Sequence, residues 1–359
     1  WAAASKTGSP TPCGVSAIPA THDSTWTRPQ LPNGQRPNYH RRGRSANNSM
    51  NAHVTAVILN WNGKADTLSC LSSLKEQSFP LDLVVVDNGS EDGSEAAIRR
   101  AHPDITVLQT GRNLGYTGGN NVGIRHALAS GATHIFVVNN DVVFDPRCVA
   151  ELVAGCMNNP NAAAAAPKSF FLSEPGTVYF AGGRILRRGP AVHVGLGQPD
   201  GPEYDRPGDT DWITGCALFA TRQAIERIGP FDERFFLLFE DVDWSLRARE
   251  AGMNLQYVPT ARIWHGGSKT FGGKRGAVYQ YYFTRNGLLC LERHSSLLML
   301  VPRMMLFLWE TRKRAYRSAR TREERSSLFR ATILGIKDYV FRRFGQGSMI
   351  PTVSSGDTE

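Results

Sequence analysis

Four short apolar runs limit what this chain can fold into. Val54–Leu59, Leu81–Val86, Ile105–Leu108 and His134–Val138 span four to six residues each, are rich in β-branched side chains, and give way to stretches of Asn, Asp and Gly. That length and composition describe buried strands. Helical segments lie between them. Leu68, Leu71 and Leu74 recur at helical spacing until Phe79-Pro80 breaks the pattern, and a later helix runs to Ala129. Strands alternating with helices need crossover connections, so the expected fold class is α/β, with a mixed, mostly parallel sheet flanked by helices. Open sheets of this kind bind ligands just beyond the carboxyl ends of their strands. The polar stretch after each run is therefore the first place to look for function.

The fourth run ends on Asn139-Asn140-Asp141. A carboxylate at that point can hold a hard, oxygen-preferring cation. Asn and Asp are also ordinary turn residues, and on its own the triplet reads more simply as a turn. Its neighbours along the chain tip the balance toward a cation site. From about residue 168 the strand–helix rhythm changes. Short β-like pieces fall around Val178-Tyr179-Phe180 and Val192-His193-Val194, a strand is expected over Trp212–Ala220, and a short helix over Arg222–Ile228 ends at Gly229-Pro230. Then an aromatic run, Phe235-Phe236-Leu237-Leu238-Phe239, delivers Glu240, Asp241 and Asp243 to one place, with a helix expected over Ser245–Ala251. Helix capping and the helix dipole account for one or two of these acids. They do not account for all three behind an aromatic run. His265, beside Gly266-Gly267, reads as a structural histidine or as a partner of the suspected cation.

The chain has 359 residues and is 41% hydrophobic, enough for a full core. Its net charge of +9 sits on the flanks. Residues 293–344 carry 13 Lys/Arg against 4 Asp/Glu, and residues 1–50 carry 6 against 1, whereas the middle is slightly acidic. The six cysteines form no C-x-x-C and no zinc-finger spacing, which fits buried, reduced thiols in a cytosolic compartment. No apolar h-region stands near the start, so no signal peptide is recognised. Residues 1–50, polar and without apolar periodicity, are expected to be a disordered basic extension, with Arg41-Arg42-Gly43-Arg44 a solvated cluster.

Several chemistries are excluded. The glycines Gly115, Gly118, Gly119 and Gly123 do not form G-x-G-x-x-G, and no Walker A sequence is present. Aligning Gly93 with the glycine of an EF-hand loop puts Arg99 where the bidentate Glu must stand. No Ser–His–Asp arrangement is evident.

The motifs Asn60-Trp61-Asn62, Val86-Asp87-Asn88-Gly89-Ser90, Arg112-Asn113-Leu114-Gly115, Asn139-Asn140-Asp141, Phe239-Glu240-Asp241-Val242-Asp243 and Trp264-His265 follow one another along the chain. In this order they resemble the family 2 inverting glycosyltransferases of GT-A fold, and most closely their rhamnosyltransferase-like bacterial branch. The resemblance covers about residues 53–296. It implies a nucleoside-diphosphate-sugar donor, with dTDP-rhamnose or a UDP-sugar favoured, and a glycan or polyprenyl-linked acceptor in cell-envelope polysaccharide synthesis. It implies roles as well. Asp87 accepts from the imide N–H of the base, with Asn60 lining the same pocket. Asn113 and a Gly118-Gly119 turn close the nucleotide site, and Asn139, Asn140 and Glu240 belong to the donor site. Asp141 and His265 hold Mg²⁺ or Mn²⁺ against the diphosphate, Asn139 standing where the family's D-x-D motif has its first acid, one charge fewer. Asp241 is the general base, and Trp212 and Asp243 belong to the acceptor side. Like charges at Glu240 and Asp243 would raise the pKa of Asp241, as a base at neutral pH requires.

Residues 51–296 are thus expected to form the transferase domain, with a nucleotide-binding half (51–145) and an acceptor and catalytic half (146–296). Residues 297–345 are expected to be a basic amphipathic helical extension, and 346–359 a disordered tail. Leu297 to Trp309 is apolar, but Pro302 and Arg303 interrupt it and it falls short of the ~20 residues needed to span a bilayer. Basic and apolar residues alternate after it. That pattern fits an anionic membrane surface, and the enzyme is expected to be cytoplasmic and peripheral on the inner face of the plasma membrane. Nucleic acid is a rival partner, and packing back onto the core is the structural alternative. Every motif residue precedes the extension, which is therefore expected to be dispensable for the chemistry. Two other functions stay open. A sugar-nucleotide nucleotidyltransferase would show an Arg/Lys-bearing glycine loop after the first strand, which Asn60-Trp61-Asn62-Gly63-Lys64 does not supply. A basic nucleic-acid-binding protein fits poorly with the acidic middle, so nucleic acid is not expected as a partner.

Overall fold

The computed structural model describes residues 52–186, 191–267 and 276–348. The stretch expected to be disordered, 1–50, and most of the expected tail lie outside them. The first half runs β1 (Val54–Asn60), α1 (Lys64–Lys75), β2 (Asp82–Asp87), α2 (Ser94–Ala101), β3 (Thr106–Gln109), α3 (Gly115–Ala129), β4 (His134–Asn139), β5 (Val142–Phe144) and α4 (Cys148–Met157). The second half adds β6 (Ala162–Phe171), β7 (Val178–Phe180), the hairpin β8 (Gly183–Ile185) and β9 (Ala191–His193), and β10 (Gly208–Asp209). After these come β11 (Ala217–Thr221), α5 (Arg222–Ile228), α6 (Glu240–Glu250) and β12 (Asn254–His265), then three long helices, α7 (Ala277–His294), α8 (Leu297–Ser318) and α9 (Arg322–Val340).

One mixed sheet organises the fold, in the order β10-β12-β6-β11-β4-β1-β2-β3. Strands β3, β2, β1, β4, β6 and β12 run in one direction, and β11 and β10 run against them. Register then places the functional ends. Asn60 stands opposite Asp87, and Leu59 opposite Asn139, so the polar stretches after β1, β2 and β4 share one edge. The short β5 turns back antiparallel to the end of β12, pairing Val142 with His265. That return brings Asp141 beside a histidine 124 residues away in sequence.

The helices cover the sheet closely where glycine permits. A Cβ on Gly123 of α3 would lie 2.2 Å from Val57 of β1, and one on Gly119 would lie 2.3 Å from Leu59. The expected Gly118-Gly119 turn is therefore helical, within α3, and Gly119 and Gly123 serve close helix–sheet packing. Two other expectations move. Only Ala217–Thr221 of the stretch 212–220 is strand, while Trp212–Cys216 forms a loop. The helix expected from Ser245 begins at Glu240, so all three acids lie in its first turn.

The C-terminal helices are not a detached extension. Gly335 lets α9 approach α7 so closely that a Cβ there would sit 2.8 Å from the Tyr281 carbonyl oxygen. Across this contact the Tyr281 hydroxyl donates to Asp338 (2.5 Å), Gln280 Nε2 donates to Thr332 (2.9 Å), and Arg342 forks onto Glu292 (2.6 and 2.7 Å). Asp338, Tyr281 and Arg285 are fully buried. Against the expectation of a dispensable extension after residue 296, α9 closes part of the core.

Candidate active site

The nucleotide side is built by hydrogen bonds between strand ends. Asp87 is buried, and its Oδ1 accepts from Asn60 Nδ2 (2.6 Å). Its Oδ2 accepts from Gln109 Nε2 (2.7 Å) and from the Ser90 amide (3.2 Å). Asn60, also buried, donates further to Ser90 Oγ (3.0 Å), and its Oδ1 accepts from Thr67 (2.8 Å) and the Gly63 amide (3.3 Å). Its amide is thus fully spent on bracing the ends of β1 and β2, and Asn60 lines no open pocket. Asn113 braces as well, its Oδ1 accepting from the Gly115 amide (2.8 Å) and Asn88 Nδ2 (3.0 Å). Sequence reading missed Asn88 and Gln109. Asn88 is buried and ties β2 to the start of α3 through Leu114 N and Gly115 O. Gln109 holds both Asp87 and Glu95, and its place at the end of β3 beside β2 was the available signal.

At the neighbouring strand ends, His265 Nε2 lies 3.1 Å from Asp141 Oδ1 and 3.2 Å from Asn139 Nδ2. The Gly266 amide donates to the Asp141 carbonyl (2.8 Å), while Asn140 is tied to α1 through Thr67 (3.0 Å). Nε2 faces conflicting demands: the amide donor wants its lone pair, the carboxylate wants its proton. The other nitrogen, Nδ1, is buried with no hydrogen-bond partner, so the imidazole is not locked into one tautomer. A divalent cation satisfies Asp141 and the Nε2 lone pair together, and rotating the Asn139 amide turns Oδ1 toward the same point. No group of three or more His, Cys, Asp or Glu with ligand geometry exists among the described residues. Two strong ligands are enough for a cation that also takes diphosphate and water oxygens, as Mg²⁺ sites commonly do. The residues present fit such an ion.

The acidic stretch is presented by a strained backbone. Phe236, Leu238 and Phe239 all have positive φ (61°, 70° and 72°), a conformation uncommon for bulky side chains. Helix α7 holds it there. Asn286 Nδ2 donates to the carbonyls of Phe235 (2.7 Å), Leu237 (2.6 Å) and Leu238 (3.0 Å), and Arg285 adds a bond to the Phe235 carbonyl (3.1 Å). Asp241 Oδ2 accepts from the Gly215 amide (2.8 Å) and Oδ1 from the Val242 amide (2.8 Å). Burial raises the Asp241 pKa above the ordinary carboxylate range, while these amides oppose the rise. Glu240 is raised further, by burial first and then by Asp241, and its Oε2 is buried without a partner. One loop joins the two acidic regions: the Gly215 amide donates to Asp241, and the next carbonyl, of Cys216, accepts from the Asn139 amide (3.0 Å) at the end of β4.

The two residues assigned to the acceptor side sit elsewhere. Trp212 is 4% exposed, packs edge-on to Phe180 and His193, and donates from Nε1 to the Val192 carbonyl. Its loop contributes the Gly215 amide instead. Asp243 is fully buried and spent on Arg247 (2.9 Å), His294 (2.9 Å) and Arg293 (3.3 Å). It fastens α6 to α7. Because Asn286 fixes the segment that carries Asp241, Asn286→Ala should lower kcat by about 10-fold to 10²-fold through misplacement alone. Affinity for a nucleoside diphosphate should stay within error. Steady-state kinetics with a parallel binding titration checks this, and loss of nucleotide affinity with kcat intact would contradict it.

Comparison with known proteins agrees with this layout. Residues 55–183 match the profile of Glycosyl transferase family 2, and residues 134–318 match that of Glycosyl transferase family group 2. The chain is 29% identical over 249 residues to N-acetylglucosaminyl-diphospho-decaprenol L-rhamnosyltransferase of Mycobacterium tuberculosis, covering 64% of this chain and 80% of that one. It is 28% identical over 276 residues to the dTDP-rhamnosyl transferase RfbF of Shigella flexneri, covering 72% and 86%. Among solved structures, a mannosyltransferase from Pyrobaculum calidifontis in complex with GDP-Man and Mn²⁺ superposes with a TM-score of 0.51 at 15% identity, over 81% of this chain and 88% of that one. That likeness shows the GT-A fold. With both profiles falling on the strand ends and the acidic helix just described, the chain belongs to the family 2 glycosyltransferases.

Proposed function

We propose that this protein is an inverting, metal-dependent transferase that moves a sugar, with rhamnose from dTDP-rhamnose favoured over a UDP-sugar, onto a hydroxyl of a lipid-linked or polysaccharide acceptor. The observation that carries the reading is the placement of Asp241: a carboxylate, pKa raised by burial, steadied by two backbone amides, one of them from the loop that also bonds the end of β4 at Asn139. In a single displacement the base takes the acceptor hydroxyl proton as that oxygen attacks the anomeric carbon, and the nucleoside diphosphate leaves. Asp241 supplies the base, and its raised pKa makes it a stronger one than a solvated carboxylate. Glu240, its pKa pushed well above the ordinary carboxylate range by burial and with Oε2 unpartnered, belongs to the donor site beside it. Asp141 and His265 would hold the cation, which when bound neutralises charge on the departing diphosphate. Asp87, with Gln109 moved aside, reads the base edge. The two rhamnosyltransferase relatives support the donor class.

The same reading places the enzyme at a membrane surface. Helix α8 turns Leu297, Leu298, Val301, Met305 and Trp309 outward at 55–90% exposure, followed by Arg312, Lys313 and Arg317. No helix among the described residues is long and apolar enough to cross a membrane. An apolar stripe with basic residues behind it suits an interfacial helix on an anionic leaflet, where each engaged Lys or Arg contributes about 1 kcal/mol.

Three outcomes are expected. Asp241→Asn, nearly isosteric but unable to take the proton, should lower turnover by on the order of 10²-fold or more with donor affinity retained. Because the wild-type base must be deprotonated and its pKa is raised, the acid limb of kcat/KM should lie above the ~3.9 of a free aspartate, rate increasing with pH through it. An undiminished Asp241→Asn enzyme refutes the assignment. Chelation should abolish transfer and added Mg²⁺ or Mn²⁺ restore it, whereas Asp141→Ala should not be rescued; full activity in chelator would remove the cation from the mechanism. Finally, the protein should co-sediment with anionic liposomes and be released by high salt, and the double variant Val301→Glu, Met305→Glu should lose the association while melting like wild type. Equal binding to neutral liposomes would show that charge does not drive it.

A further inference from the structure

Beneath α8, on the side opposite its exposed stripe, lies a cavity of about 680 Å³. Its walls are Val242 and Leu246 of α6, Phe283 and Leu291 of α7, and Leu306 and Phe307 of α8, with Phe239 adjoining. That volume is in the range of small-ligand sites, ~300–1,000 Å³. It holds one polar group without a hydrogen-bond partner and two guanidiniums without a counter-charge. Thr311 is 2% exposed, and its Oγ1 has no hydrogen-bond partner. Arg314 lies flat on the Phe283 ring, 3.5 Å from the centroid, and reaches Gln280 Oε1 at 3.3 Å. Arg303 donates to Ser295 Oγ. Among the described residues neither guanidinium has a carboxylate within 4.0 Å, and the one acid in the wall, Glu310, is paired with neither. A half-buried guanidinium without a counter-charge is costly, and an anion beside it removes the cost.

The cavity also has a direction. Arg303 and Arg314 are eleven residues apart on α8, about 16 Å along its axis. The Arg314 end lies toward the proposed base: Arg314 sits over the Phe283 ring, that ring packs 5.1 Å from the Phe239 ring two residues before Asp241, and Val242 lines the same cavity. The Arg303 end adjoins Leu297 and Leu298, which are 90% and 89% exposed at the start of α8. One end thus meets the proposed base and the other meets the apolar stripe.

We propose that this cavity is the lipid subsite of the acceptor, holding the first isoprene units of a polyprenyl-diphosphate glycan along the underside of α8, with the diphosphate against Arg314 and the sugar hydroxyl directed at Asp241. The proposal rests on the reading of a lipid-linked acceptor and specifies where its apolar end lies. The tail enters from the membrane beside Leu297 and Leu298, so the same helix rests on the bilayer with one face and roofs the lipid with the other. A polysaccharide acceptor without lipid would leave the apolar walls and the unpaired Arg314 without purpose.

The test is calorimetric binding of farnesyl diphosphate to the full chain, with the donor site filled by saturating dTDP or UDP. Farnesyl diphosphate should bind about tenfold or more tightly than either inorganic diphosphate or farnesol, since it alone engages the guanidinium and the apolar walls together. Leu306→Trp, which fills the cavity, and Arg314→Gln, which removes its charge, should each weaken binding by about tenfold or more. If the wild type binds farnesyl diphosphate no better than diphosphate alone, the subsite is refuted even if Leu306→Trp fails to fold. A folded Leu306→Trp that keeps wild-type affinity refutes it equally. Donor hydrolysis by the wild type, measured in parallel across nucleotide sugars, judges the transferase reading separately. Hydrolysis without isoprenoid binding overturns this inference alone, and isoprenoid binding without hydrolysis upholds the cavity while removing the reaction.

Discussion

The site depends on one carboxamide. Asn286, fully buried on α7, gathers three backbone carbonyls, of Phe235, Leu237 and Leu238, in the segment before α6. Three bulky residues in the left-handed region cost on the order of 1–3 kcal/mol each, and such a segment persists only where its surroundings over-determine it. The surroundings here are specific. Arg285 stacks over the Tyr282 ring at 4.9 Å and bonds the same carbonyl run, while the Phe236 ring lies against Tyr282 at 5.4 Å. On the other side, Gly115 at φ 75° leaves room for the Phe236 ring, and the Thr117 amide donates to the Phe236 carbonyl. The segment carrying Glu240 and Asp241 is thus held between α3 of the nucleotide half and α7 of the other. The two halves meet at the strained turn, and the geometry of the acids is a property of both.

That arrangement makes the C-terminal helices part of the framework around the acidic segment even though no motif lies in them. Tyr281, one turn before Arg285, donates to Asp338 of α9 and also contacts the Arg285 guanidinium (3.3 Å). Asp338 is held below the ordinary carboxylate range; burial pushes the other way, and the bonds from Tyr281 and Ser348 outweigh it. A path of buried hydrogen bonds therefore runs from α9 through Tyr281 and Arg285 to the carbonyls behind Asp241. Polar networks of this kind specify one arrangement when every member is satisfied and are costly when broken.

The sheet was legible from the sequence because its strands obey local rules. Each of the first four is a short β-branched run, and their polar ends fell in register as expected of an open parallel sheet. What escaped was set by tertiary context. Ala162–Ala166 carries the residue of highest helix propensity, yet forms the start of β6 between β11 and β12. Helix α4 approaches so closely there, with Gly155 against Val258, that small side chains are what the space accepts. The acids at 240–243 were visible as a cluster, but their division of labour was not: Asp243 faces three cations of α6 and α7, whereas Asp241, two positions earlier, faces amides. On a helix, positions i and i+2 point to different sides, so the cluster had to be split between a fastening role and a chemical one. The brace made by Asn60, Asn88 and Gln109 is likewise a matter of which strands adjoin, which one-dimensional spacing does not contain.

The positive charge of the C-terminal region acquires a different meaning once α8 is seen in place. In sequence it alternates with apolar residues and reads as a single amphipathic pattern. In the fold it separates by face and by position along the helix. Leu297, Leu298, Val301, Met305 and Trp309 point outward, while Arg303 and Arg314 turn inward to the cavity beside Leu306 and Phe307. A helix that only packed on the core would turn its apolar face inward and its charges outward. Here two guanidiniums face an apolar interior while Leu297 and Leu298 face out. That inversion costs free energy in water on both counts. It becomes favourable where the outside is a lipid interface and the inside receives an anion carried on an apolar chain. The two unfavourable faces of α8 are then one adaptation, and the distance between Arg314 and Asp241 becomes the distance from the lipid's phosphate to the hydroxyl that is glycosylated.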